Sequence, residues 1–113
     1  MINYNGKTFR PVTNSGSGEV DTETLFHYSQ EGNIVTGTYT GGSIRHGQLI
    51  ALVDGEGGLN MRYHHVNTTG ELLTGVCRSV LRPLPSGKMQ LHETWHWTSG
   101  REGMGTSIIE EVT

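Results

Sequence analysis

Apolar and polar positions alternate along most of this chain with a period of two, the signature of strands with one face buried. The clearest case is Leu91-His92-Glu93-Thr94-Trp95-His96-Trp97. Read as a strand, it places Met89, Leu91, Glu93, Trp95 and Trp97 on one face and Lys88, Gln90, His92, Thr94 and His96 on the other. Segments rich in Thr, Val, Ile, Tyr and Trp, which suit a pleated surface, recur between turn signals. Those signals include Asn14-Ser15-Gly16-Ser17-Gly18, Glu31-Gly32-Asn33, Gly41-Gly42, Gly55-Glu56-Gly57-Gly58, Asn67-Thr68-Thr69-Gly70, Pro83 to Gly87 and Ser99 to Gly103. The pattern predicts about eight strands: Lys7–Thr13, Thr22–Gln30, Asn33–Thr40, Ser43–Val53, Leu59–Val66, Glu71–Arg82, Lys88–Thr98 and Met104–Val112. The acids Asp21 and Glu23 leave room for a helical turn at Thr22–Phe26.

Connections this short force antiparallel neighbours. An open sheet of eight such strands would leave two edges and a bare face, and closure removes the edges. The expected fold is therefore all-β: an antiparallel up-and-down β-barrel of about eight strands, one domain over residues 1–113, with a sandwich as the alternative. A weak internal repeat runs alongside. Tyr28, Gly32 and Ile34-Val35-Thr36-Gly37 match Tyr63, Gly70 and Leu72-Leu73-Thr74-Gly75, as hairpins of any meander would also do.

A barrel of this size encloses packed side chains or one small ligand. If Tyr63 pairs with Thr74 and Val76 with Trp95, one face collects Met61, Tyr63, His65, Arg78, Glu93, Trp95 and Trp97, and Tyr28 and Phe26 can join from the second strand. Arg78 then falls opposite Glu93 within reach of a salt bridge, whereas a slip of one residue sends it outward. An apolar concavity with a few polar heads is the usual composition of a ligand site. The candidate ligand-binding residues are thus Tyr28, Met61, Tyr63, His65, Arg78, Glu93, Trp95 and Trp97. A filled core holding a satisfied Glu–Arg pair is the competing reading.

Composition removes several functions. The chain has 113 residues, 33% hydrophobic, with 17 Gly and Ala51 as its one alanine, which suits many tight turns rather than long helices. Net charge is −3 and the basic residues form no stripe, so no nucleic-acid partner is expected. No apolar run reaches membrane-spanning length and no signal peptide is evident, so no membrane partner is expected. Cys77 stands alone, which fits a reducing cytoplasm and excludes an internal disulfide. His27, His46, His64, His65, His92 and His96 show no zinc spacing, so no metal is expected. With no P-loop, dinucleotide fingerprint or Gly-x-Ser-x-Gly elbow, no cofactor is expected either.

Four segments carry a resemblance: Gly47-Gln48-Leu49-Ile50, Met61 to Asn67 (MRYHHVN), Gly70 to Gly75 (GELLTG) and Leu91 to Gly100 (LHETWHWTSG). Together they resemble a family of small bacterial proteins of unassigned activity, often labelled N-acetylglutamate synthase. Acetyltransferases of the usual kind need a mixed α/β fold and a Gly-rich turn before a helix, and this chain has neither pattern. By architecture the chain looks like lipocalin-like or avidin-like barrels, without the early Gly-x-Trp of lipocalins, and fold alone does not assign function. The leading expectation is a barrel whose interior binds a small apolar or aromatic molecule. A rival is an enzyme using Glu93 and His65 as an acid–base pair. A third reading is an assembly module with a filled barrel and an outer face that makes a homodimer.

Overall fold

The computed structural model describes residues 2–16 and 18–112; Ser17 of the expected Asn14–Gly18 turn, with Met1 and Thr113, lies outside the described residues. Eight strands follow one another: β1 (Thr8–Asn14), β2 (Leu25–Glu31), β3 (Ile34–Gly41), β4 (Ile44–Val53), β5 (Leu59–Asn67), β6 (Leu72–Pro83), β7 (Met89–Ser99) and β8 (Met104–Glu111). Each pairs antiparallel with its sequence neighbours, and β8 pairs back on β1, so the sheet is a closed barrel in up-and-down order. The inward positions of β4 (Leu49, Ala51, Val53) and β7 (Leu91, Glu93, Trp95, Trp97) are buried, as their alternation predicts, and a register shift between Ile44 and His46 brings Ile44 inward as well.

Large rings fit into so narrow a barrel because glycines face them. Tyr28 lies opposite Gly37, Tyr39 opposite Gly47, Tyr63 opposite Gly75 and Trp95 opposite Gly105. A Cβ at Gly47 or Gly75 would overlap the opposing tyrosine ring, and one at Gly105 would overlap the Trp95 indole. Each ring lies across its partner strand in the space a side chain would have filled.

Two expectations need correction. The Thr22–Phe26 segment is neither strand from its start nor helix. Asp21 closes a tight turn, accepting from the Glu23 amide through Oδ1 and from the Thr24 amide through its carbonyl oxygen, and β2 begins at Leu25. The β5–β6 register is one residue from the one assumed. Tyr63 faces Gly75, and Cys77, not Val76, faces Trp95. A bulge between Thr74 and Gly75 accompanies the shift. The inward residues of β6 are therefore Leu73, Gly75, Cys77 and Ser79.

The barrel's two ends are closed differently. At one end Ile2 and Tyr4 act as a stopper. Tyr4 is fully buried, its hydroxyl donates to the Gly57 carbonyl, its amide donates to Gln30 Oε1, and Gln30 Nε2 donates to the Ile2 carbonyl. At the other end the β1–β2 connection folds inward as a strap. Asn14 Nδ2 donates to the Val20 carbonyl, Ser43 Oγ donates to the Glu19 carbonyl, and Val20 packs against the core.

Candidate functional site: the barrel interior

Beneath the strap lies a cavity of about 50 Å³, walled by Phe26, Tyr39, Leu49, Met61, Tyr63, Trp95 and Trp97, with Gly18, Glu19 and Val20 above and His65, Cys77, Glu93 and Ser107 as its polar or ionisable points. The aromatic walls are mutually tilted. Trp95 and Trp97 lie 5.8 Å apart at 57°, Tyr63 meets Trp97 edge-on at 5.7 Å, and Phe26 stacks on Tyr39 at 4.9 Å. Such pairs gain from offset and edge-on contact beyond the area they bury.

Two carboxylates enter this space, and their surroundings differ. Glu19, carried by the strap, is heavily engaged: His65 Nε2 is 2.7 Å from its Oε1, while Asn67 Nδ2 and Arg101 Nη2 each lie 2.9 Å from Oε2. His65 Nδ1 in turn sits 2.9 Å from the Tyr39 hydroxyl. In the neutral imidazole this geometry places the proton on Nε2, donating to Glu19, with Nδ1 accepting from tyrosine. Burial holds His65 below the usual imidazole range, and the contact with Glu19 pulls it only partly back.

Glu93 is 8% exposed and meets only neutral donors. Ser79 Oγ donates to Oε2 at 2.9 Å and Ser107 Oγ to Oε1 at 3.1 Å. Burial raises its carboxyl above the usual range, and the serine hydroxyls and the Cys77 thiol only partly offset this. Cys77 is itself buried beside Glu93, and desolvation pushes its thiol well up, so it is an inert packing group rather than a nucleophile.

The structure brings together Met61, Tyr63, His65, Glu93, Trp95 and Trp97 around the cavity. Tyr28 is buried inside the barrel among Tyr4 and Phe9, nearer the stopper. Arg78 is not part of the site. Its side chain is 61% exposed on the outer wall and donates to Asp54 at 3.0 Å, so the expected pair with Glu93 does not form. Glu93 and His65 both border the cavity and do not touch: each is bonded to its own partners, Glu93 to serines and His65 to Glu19 and Tyr39. Sequence reasoning missed Glu19, Arg101, Ser79 and Ser107. Ser79 becomes visible once Gly75 rather than Thr74 is set opposite Tyr63, and Ser107 once β8 is set in register with Glu93. Glu19 and Arg101 lie in turns, where strand periodicity carries no information.

The fold and cavity define a class, the closed eight-stranded antiparallel barrel with an interior cavity. Within it, a family model described as avidin-like protein matches residues 2–112, and the chain belongs to that family. The N-acetylglutamate synthase label attached to the resembling proteins finds no support in this match or in the all-β fold. Neither the curated proteins nor the solved structures provide a match.

Proposed function

We propose that this protein binds a small molecule inside the barrel, seating an apolar or aromatic body among Phe26, Tyr39, Tyr63, Trp95 and Trp97. The observation that carries this reading is the cavity itself, ringed by aromatic side chains beneath the strap. Membership of the avidin-like family supports it, since a barrel with an interior site is the architecture such a function uses. At roughly 10–15 Å³ per water, the cavity has room for about four waters. A ligand of a few heavy atoms fits under the closed strap, and a larger one displaces Gly18 to Val20. The unpaired Cys77 supports a reducing, cytoplasmic setting for this activity.

Both tryptophans wall the cavity, so occupancy is readable directly. Titration with a panel of small aromatic and aliphatic compounds should shift tryptophan emission and raise the melting temperature, and Trp95→Ala should weaken the effect at least ten-fold. A broad panel that leaves emission and melting unchanged at millimolar concentration would remove the reading.

A further inference from the structure

Resting on that reading of the interior as a ligand site, we propose that its ligand is a compact organic cation, a small alkylammonium, for which Glu93 supplies the counter-charge and the aromatic walls supply the remaining contact.

The contrast between the two interior carboxylates is the first ground. Glu19 has an arginine, an imidazole and an amide on its oxygens. Glu93, deeper in the barrel, has two serine hydroxyls, and no lysine or arginine lines the cavity among the described residues. A buried carboxylate with only neutral donors is costly in its charged form. Burial therefore favours the protonated carboxyl in the empty barrel, and a cation entering the cavity completes the site.

The walls are the second ground. Ring quadrupoles attract cations most strongly where water is excluded, and here Phe26, Tyr39, Tyr63, Trp95 and Trp97 enclose the space that Glu93 borders. A volume of about four waters limits the cation to about four or five heavy atoms under the closed strap.

The test compares two molecules of the same shape, tert-butylammonium and tert-butyl alcohol, by calorimetric titration at pH 7.5. The cation should bind at least ten-fold more tightly than the alcohol, with a proton released on binding, as seen by repeating the titration in buffers of different ionisation enthalpy. Glu93→Gln should lose the preference for the cation while still taking the alcohol. Should that variant fail to fold, the pH dependence of the wild type decides. Cation affinity should fall as pH is lowered from 8 to 5, with alcohol affinity flat as the control for His65. The other ionisable groups facing Glu93 are Cys77 on β6, Tyr28 on β2, Tyr39 on β3 and Tyr63 on β5. All are shifted upward by burial and stay neutral across that window. Alcohol binding equal to or tighter than the cation would overturn the charge assignment and leave the interior-ligand reading standing. The same holds if neither binds while other members of the panel do. Failure of every compound would overturn both.

Discussion

Glu93 sets the chemistry of the interior at the scale of a single residue. Its carboxyl is raised above the usual value of about 4.5 by burial, so the folded protein holds this proton over a pH range where the unfolded chain has released it. Its contribution to stability is therefore fully present below about pH 4.5 and is lost as pH rises through the folded value. Replacing it with glutamine keeps the shape and removes the titration. Glu93→Gln should melt higher than the wild type at pH 8 and converge with it near pH 4, as followed by circular dichroism. A constant difference at both pH values would contradict the buried-acid account. The acid among tryptophans was legible in the alternation of β7. Its partners were not, because Arg78 and Ser79 are adjacent in sequence, and which of them points inward depends on a register that local pattern leaves open.

At the scale of elements, that register is decided by ring against glycine. The repeat visible in the sequence, Tyr28 with Gly37 and Tyr63 with Gly75, is the trace of two hairpins in which the tyrosine of one strand lies over the glycine of the next. Gly75→Ala forces a methyl into the Tyr63 ring and should destabilise the barrel by about 1–3 kcal/mol, the usual cost of overpacking. Tyr63→Leu in the same chain should recover part of the loss in a denaturant double-mutant cycle. Additive losses would mean that the pair does not set the packing. Strand number and order were legible because short turns separate periodic segments. The start of β2 was not, because the Asp21 turn is made by side-chain bonds that periodicity does not report.

At the scale of the whole molecule, the barrel has one stoppered end and one strapped end, and the strap is held mainly by Glu19. Glu19→Ala leaves His65, Asn67 and Arg101 without their shared acceptor. It should cost roughly 1–3 kcal/mol, the range for leaving buried polar groups without their partner, and increase acrylamide quenching of Trp95 and Trp97. Unchanged quenching would show that the strap does not govern entry. Closure of the wall has a kinetic consequence as well. Seven of the eight strand pairings join sequence neighbours, whereas the eighth joins Phe9 to Glu111 and must bring together distant parts of the chain. Until that seam forms, β1 and β8 are open edges, the state in which sheets recruit other chains. β1 carries Pro11, which lacks an amide to offer a neighbour, next to a bulge before Thr13. Lys7 and Glu111 meet at 3.0 Å across the same seam. The residues that zip the barrel shut thus also guard it against other copies of itself during the interval before it closes.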